Sequence, residues 1–294
     1  MENSSRFLCA ISAGVLLCAS PGSALTLTGV SAPGSFQALG ATYQTVDTPG
    51  FNPNNYVNTT NPTGSVQSPQ GISTARWDAT FGALHAGADT TLPGDSSAQG
   101  SLAILGISWL DWFQATPVSG SLSSFDITLT ITLNGTLLTN AGGGQDATAS
   151  VAAGWDDPRL GNLLFQEGCT GSQNCAPNIN VDDGLQAASA TFSVNCPATG
   201  DCWVGLRGWL ELFTLVRQNC VGVCAGSASA DADYFSTATF HLDVLTPGWT
   251  VTSLSGTDYS TPAPEPSILL LSGFGLGLSS LLRRRKAALP RPME

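Results

Sequence analysis

The residues of this 294-residue chain best suited to chemistry are aspartates in close pairs. These pairs are Asp156-Asp157, Asp182-Asp183, and Asp231 with Asp233. Two carboxyl groups can hydrolyse a glycoside when the fold sets their separation, one as acid and the other as base or nucleophile. Neighbours on a strand point to opposite faces, so sequence adjacency does not create that geometry. We expect these pairs in solvated loops, where calcium is an alternative use of their oxygen atoms. The chain has no EF-hand and no glycine–aspartate repeat.

Histidine is scarce, because His85 and His241 are the only two in the sequence. A serine or cysteine hydrolase usually takes its base from histidine, which titrates near neutral pH. No G-x-S-x-G motif accompanies either residue. His241 belongs to an alternating segment and is expected to face outward from a strand. We therefore expect no catalytic residue and no enzymatic activity, with a carboxylate-based glycoside hydrolase as the remaining alternative.

Tryptophan is the other residue type that could contact a ligand, since its flat ring can stack on a sugar. The chain has seven tryptophans. Five of them are Trp109, Trp112, Trp155, Trp203 and Trp209. The alternative is that most of them pack within the core or on a sheet.

Six of the eight cysteines lie outside the N-terminal segment and cluster between residues 169 and 224. An even number of cysteines in a secreted chain indicates disulfides, and six permit 15 connectivities. The spacing favours three local bridges: Cys169–Cys175, Cys196–Cys202 and Cys220–Cys224. A zinc site is the alternative, but only one pair has the usual close spacing and His241 is the sole nearby histidine.

The N-terminus has the three parts of a secretory signal peptide. Arg6 supplies a positive charge, 7–19 is an apolar run, and Gly22-Ser23-Ala24 provides small residues for cleavage. We expect residues 1–24 to form the signal peptide, with cleavage after Ala24.

The C-terminus also has three parts, in a fixed order. They are Pro264-Glu265-Pro266, an apolar run over 268–282, and the basic stop Arg283-Arg284-Arg285-Lys286. The prolines keep the backbone extended, so that a processing enzyme could grip it. The 15 apolar residues make about 23 Å of helix, which is short for a permanent anchor across a core of about 30 Å. The four cations are expected to stay on the cytoplasmic side.

This tail resembles a PEP-CTERM sorting signal, found in secreted proteins of Gram-negative bacteria that make exopolysaccharide. The segment over 247–260, PGWTVTSLSGTDYS, resembles the final hairpin before such a tail. The resemblance implies transient retention in the inner membrane and cleavage near Pro264-Glu265-Pro266 by an exosortase. The protein would then reach the cell surface or the extracellular space, with exopolysaccharide as a partner. The sorting signal is expected to span 261–294, with a short transmembrane segment over 268–282.

Removal of both signals leaves a strongly acidic domain. Between positions 25 and 264 the sequence has four arginines, 18 acidic residues and no lysine, which gives a net charge of −14. Such a surface repels phosphate backbones, so nucleic acid is not expected as a partner. The charge suits solubility, divalent cations or cationic polymers outside the cell.

The remaining chain has the patterns of strands rather than of helices. Aliphatic residues alternate with threonines over Phe125–Leu133, and the same period of two fits Trp203–Val216, which also has a weaker helical stripe. Ser101–Phe113 is apolar enough for a buried strand. Asn134-Gly135 predicts a type I′ hairpin turn.

These patterns predict an all-β domain over 25–260, an antiparallel sandwich or a related jelly-roll-like form, with disulfide-stapled loops. We expect a secreted, non-enzymatic surface or extracellular-matrix protein linked to exopolysaccharide and biofilm. A carbohydrate-binding adhesin is the alternative from a different functional class.

Overall fold

The fold is all-β, with 14 strands in the part of the chain that the structure describes. The computed structural model describes residues 26–34, 38–47, 56–94, 99–118, 123–171, 186–198, 201–219 and 226–260. The strands are β1 (Thr26–Thr28), β2 (Ala38–Val46), β3 (Val57–Thr59), β4 (Thr63–Gln67), β5 (Ser73–Thr80), β6 (Ala83–Leu92), β7 (Gly100–Pro117), β8 (Ser124–Asn140), β9 (Gln145–Asp157), β10 (Gly161–Gly171), β11 (Gln186–Asn195), β12 (Cys202–Gln218), β13 (Ala228–Val244) and β14 (Trp249–Ser253).

The strands form two sheets that pack face to face, which confirms the predicted sandwich. The first sheet has the order β1-β11-β8-β13-β6-β5-β4. The second has the order β10-β9-β12-β7-β2-β3, and β14 pairs with the end of β7 beyond β2. Among the described strands, every pairing is antiparallel except that of β1 with β11. From β6 onward the chain crosses repeatedly between the sheets, so the core is built from residues distant in sequence.

Side-chain alternation decides which face of each strand is buried. In β8 the aliphatic side chains from Ile127 to Leu133 lie in the core, and the threonines between them face outward. The segment with two competing patterns, Trp203–Val216, is a strand within β12, and its period-two residues such as Leu206 and Leu212 are fully buried. Both strand predictions are confirmed.

The hairpin predicted at Asn134-Gly135 is wrong, because β8 runs straight through both residues. Gly135 is not among the glycines with a positive φ. A Cβ atom placed on Gly135 would come within 2.5 Å of the Asp233 carbonyl oxygen and of the Tyr234 ring. The register of β13 against β8 shifts at this point, between Asp233 and Thr237. Gly135 therefore accommodates a close approach beside a bulge, where glycine is equally favoured.

The centre of the core is an aromatic cluster that joins both sheets. Trp109 of β7 meets Trp155 of β9 edge to face at 5.1 Å between ring centroids and meets Phe240 of β13 at 5.4 Å. Tyr259, which follows β14, lies 5.2 Å from Trp109. Such edge-to-face contacts add to the free energy gained by burying large rings.

One disulfide, Cys196–Cys202, staples the passage from β11 in the first sheet to β12 in the second. Its Cα atoms lie 5.2 Å apart, which confirms this predicted bridge. Cys169 is also disulfide-bonded. Its predicted partner Cys175 lies outside the described residues, as does the predicted pair Cys220–Cys224.

The end of the domain is held by a buried carboxylate that the sequence patterns did not reveal. Asp111 of β7 is fully buried and accepts hydrogen bonds from the Ser255 backbone N–H at 3.1 Å, the Ser255 hydroxyl and the Tyr259 hydroxyl at 3.2 Å. Its own strand contributes the Trp112 N–H at 2.8 Å. Burial, and then the charge of Asp111, raise the pKa of Tyr259, so the phenol remains a donor. Segment 254–260 is therefore fixed to β7.

Candidate functional site

The residues predicted to act in sorting lie beyond the described part of the chain. Pro264, Glu265, Pro266 and the basic stop 283–286 all fall within 261–294. In the part of the chain that the structure describes, no helix has the length and apolar character needed to cross a membrane. The last described residue, Ser260, follows directly after the fixed Tyr259.

Asp156 and Asp157 lie at the end of β9, and both side chains are buried. The prediction that this pair lies in a solvated loop is therefore wrong. Asp156 faces outward and pairs with Arg207 of β12, whose Nε lies 2.9 and 3.0 Å from its two oxygens. Asp157 is bound by Arg159, with Nε to Oδ1 at 3.1 Å and Nη2 to Oδ2 at 2.9 Å. Because opposite strand faces separate the two carboxylates and each has its own arginine, they do not form a catalytic pair.

The other two pairs differ in what the structure describes. Asp182 and Asp183 lie outside the described residues. Asp231 and Asp233 are on β13, again in a strand rather than a loop, and Asp233 pairs with Arg76 at 3.3 Å. Burial, followed by the nearby charges of Asp89 and Asp233, raises the pKa of Asp231 to about 6. Among the described residues, no group of three or more His, Cys, Asp or Glu side chains is arranged to hold a metal ion.

A shallow pocket of about 190 Å³ opens on the outer face of the second sheet. Strand register explains its position, because residues with little or no side chain meet there. Ser108 of β7 lies between Trp209 of β12 and Gly40 of β2, and Gly106 lies between Glu211 and Thr42 in the next row. These small residues form the floor. Strand β3 forms the far wall through Asn58, whose Oδ1 accepts a hydrogen bond from Thr42 at 2.6 Å.

Three side chains at alternate positions of β12 line the near side of the pocket: Arg207, Trp209 and Glu211. Period-two alternation directs all three outward from the same strand. The indole of Trp209 lies over Gly154 of β9, where a Cβ atom would come within 2.5 Å of the ring. The Arg207–Asp156 ion pair lies at one end of this row. The lining of the pocket combines one aromatic ring, hydroxyl and amide groups, and a carboxyl group.

Glu211 is the carboxyl group in this pocket. It is partly buried, and burial raises its pKa from the ordinary 4.5 to about 7. No hydrogen bond or ion pair to its carboxyl group comes from any residue that the structure describes. The nearby phenol of Tyr56 responds to it, because burial, and then the charge of Glu211, raise the pKa of Tyr56 to about 12. Glu211 is therefore a polar group that a ligand could satisfy.

A small apolar cluster beside the pocket holds the wall of β2 and β3 against the sheet. Leu102 and Ile104 of β7 and Leu215 of β12 form its buried part. Val46, Tyr56 and Phe213 pack against them. This cluster lies on the outer face of the sheet, separate from the main core, and its packing continues along β7 and β12 from the pocket.

The sequence predicted that Trp209 could stack on a sugar ring, but it gave no indication of Glu211 or of the pocket. Of the five tryptophans named from the sequence, Trp109 and Trp155 are core residues. Trp112, Trp203 and Trp209 are partly buried on the outward positions of β7 and β12. Alternation within each strand could have separated these two groups, but only the register between strands reveals which ring adjoins a pocket.

Glu211 should leave a signature in the pH dependence of stability. Between about pH 4.5 and about pH 7 the folded protein retains a proton on Glu211 that the unfolded chain releases, so this residue lowers the free energy of unfolding as the pH rises. We expect Glu211→Gln to gain stability relative to the wild type across that interval. Thermal unfolding of both proteins from about pH 5 to about pH 8 measures the effect. A difference in unfolding temperature that is constant with pH would contradict it. Glu167→Gln, an exposed substitution on β10, is the matched control.

Within its described residues, the chain is a β-sandwich of largely antiparallel sheets, with a pocket on the outer face of the second sheet. No protein-family model matches the chain, and no curated protein matches its sequence.

Proposed function

We propose that this protein is a secreted, non-enzymatic surface or extracellular-matrix protein that associates with exopolysaccharide through the pocket beside Trp209. An exosortase would process its PEP-CTERM-like tail. The observation that carries the binding role is the arrangement of Trp209 next to Ser108, Thr42 and Asn58 around a depression of about 190 Å³. This volume suits a single sugar ring of a longer chain.

The chemistry of the lining supports a carbohydrate ligand. A sugar ring has apolar faces that stack on an indole and hydroxyl groups that need hydrogen-bond partners. The pocket offers Trp209 for the first purpose and Asn58, Ser108 and Glu211 for the second. A few polar groups placed around an apolar surface are typical of small-molecule sites. The openness of the site on a sheet face would let a polymer continue past it on either side.

The ion pairs support a binding role over hydrolysis. The carboxylates of Asp156 and Asp157 are each occupied by an arginine, with Arg207 on one and Arg159 on the other. A retaining or inverting glycosidase requires two carboxyl groups that flank one glycosidic bond. In the pocket, Glu211 stands without a second free carboxyl group among its described lining residues. We therefore favour a binding module over the glycoside hydrolase alternative.

Substitution of Trp209 tests this proposal. We expect Trp209→Ala to weaken binding of the host exopolysaccharide at least about tenfold, because the stacking surface is lost. Ser108→Phe should weaken it as well, by filling the pocket without removing an existing contact of the ring. Affinity electrophoresis in gels that contain the polysaccharide measures both effects.

The matched control is Phe235→Ala, which removes a partly exposed ring from β13 in the opposite sheet. It should bind as the wild type does. Equal binding by the wild type, Trp209→Ala and Ser108→Phe would contradict the pocket as the site. Release of reducing sugar by the wild type would contradict the non-enzymatic role and favour a hydrolase.

The sorting proposal has its own test in the native host. We expect the mature protein to begin near Leu25 and to lack residues 268–294, because the tail resembles an exosortase substrate. Intact-mass measurement of the protein from the cell surface and the medium determines both ends. A mature species that retains Arg283 to Lys286 would show a simple anchor instead.

A further inference from the structure

We infer that the pocket selects a cationic sugar, an amino-sugar residue whose amine is free and protonated, with Glu211 as its counter-charge. This inference rests on the proposed function, since it names the class of sugar that the same pocket takes. The ligand would be an exopolysaccharide that carries unacetylated hexosamine units.

The carboxyl group of Glu211 favours a cationic ligand. Glu211 lies in the row of Gly106 and Thr42, and at Gly106 the floor has no side chain above the backbone. No described residue gives this carboxyl group a cation or a hydrogen bond. A partly buried carboxylate without a partner is unfavourable, and it is stabilised by a ligand that brings a positive charge. The pKa of about 7 of Glu211 then has a simple consequence: a bound ammonium would favour the ionised carboxylate at neutral pH.

The charged residues next to Glu211 also favour a cation over an anion. Arg207 is the cation nearest along the strand, but its guanidinium is bound to Asp156 through Nε and Nη2. The Arg207–Asp156 ion pair has no net charge. When Glu211 is ionised, its carboxylate therefore gives the pocket one negative charge. An anionic sugar such as a uronic acid would meet that charge directly, and an ammonium would be attracted by it.

Trp209 provides a second feature that attracts a cation. It lies two residues from Glu211 on the same strand face, and both residues line the pocket, so a cation bound by the carboxyl group would enter a pocket that the indole also lines. Cations are attracted to the face of tryptophan more strongly than to any other aromatic ring. On a larger scale, 18 acidic residues against four arginines between positions 25 and 264 would draw a polycation towards the whole domain.

Oligosaccharides that differ in the charge of one substituent show whether the amine or the sugar ring determines the affinity. Calorimetric titration of the full-length protein at neutral pH would use hexamers of glucosamine, of N-acetylglucosamine and of glucose. We expect the glucosamine hexamer to bind about tenfold more tightly than the acetylated hexamer. Glu211→Gln should abolish that difference, with a larger loss of affinity for the glucosamine hexamer than for the two neutral hexamers. Glu167→Gln is an ideal control, because these are the two glutamates between residues 25 and 264, and it should preserve the difference.

The outcomes distinguish this inference from the proposed function. If the neutral hexamers bind through Trp209 but the amine adds nothing, the cationic ligand is excluded and the glycan-binding role stands. If Glu211→Gln retains the preference for glucosamine, the general acidity of the surface causes it and the assignment to Glu211 is overturned. If neither the hexamers nor the host polysaccharide bind, both the role and the inference are wrong. Thermal unfolding of Glu211→Gln checks that the variant is folded.

Discussion

Asp111→Ala is expected to lower the free energy of unfolding by about 3 kcal/mol, because several buried donors lose their common acceptor. The carboxylate of Asp111 accepts from the backbone N–H groups of Trp112 and Ser255 and from the hydroxyls of Ser255 and Tyr259. Alanine leaves these donors without that acceptor. Urea unfolding measures the change, and the unfolding temperature should fall by on the order of 10 °C for a domain of this size.

A series of variants identifies the cause of that loss. Tyr259→Phe removes only the phenol donor and should cost about 1 kcal/mol. The matched control is Asp243→Ala, an exposed aspartate on the outer face of β13, which should unfold at the wild-type temperature. The double variant Asp111→Ala/Tyr259→Phe should cost less than the sum of the two changes, because both act on one network. Additive losses would contradict a shared network.

Trp155→Ala is expected to have the largest effect on stability, about 4 kcal/mol, because it removes a fully buried indole from the aromatic cluster. The cavity would lie between Trp109 of the second sheet and Phe240 of the first, where the two sheets meet. The variant would thus lose the contact with Trp109 in the same sheet and the contact with Phe240 in the other sheet. Urea unfolding again gives the free energy.

The variants Trp155→Phe and Trp109→Phe separate the contribution of packing to stability from that of the indole hydrogen bond. The Nε1 of Trp155 donates to the Thr130 carbonyl oxygen at 3.0 Å. By contrast, the buried Nε1 of Trp109 has no hydrogen-bond partner within the described residues. Trp155→Phe should therefore cost about 1 kcal/mol more than Trp109→Phe, although both remove a similar volume. Equal losses would mean that the Trp155 hydrogen bond contributes nothing to stability.

Local patterns predicted the strands well where one face of a strand is buried. The threonine–aliphatic alternation of β8 holds because burial of Ile127 to Leu133 requires the intervening residues to face water. The same reasoning resolved Trp203–Val216 as a strand. The disulfide Cys196–Cys202 was predictable too, because the five residues between the two cysteines include a proline and a glycine and can form a turn.

The same local reasoning failed where a distant residue decides the conformation. Asn134-Gly135 has the composition of a tight turn, but the ring of Tyr234, about a hundred residues later, occupies the space beside Gly135. Glycine permits a turn and also permits a close approach, and the sequence pattern does not distinguish the two. Asp156 and Asp157 likewise looked like loop residues until Arg207 and Arg159 provided the charges that allow them to be buried.

The sequence alone determined the all-β class, one disulfide and the strand faces, because these depend on neighbours within a few residues. It also carries the signal-like ends, whose processing stays a prediction. Only the tertiary structure decided the candidate site, because the pocket depends on the register of four strands from distant parts of the chain. Gly40, Gly106 and Ser108 look unremarkable in sequence, yet their alignment beside Trp209 and Glu211 creates the depression. A carboxyl group becomes a candidate ligand-binding group only when its surroundings leave it without a partner, and those surroundings are set by the whole fold.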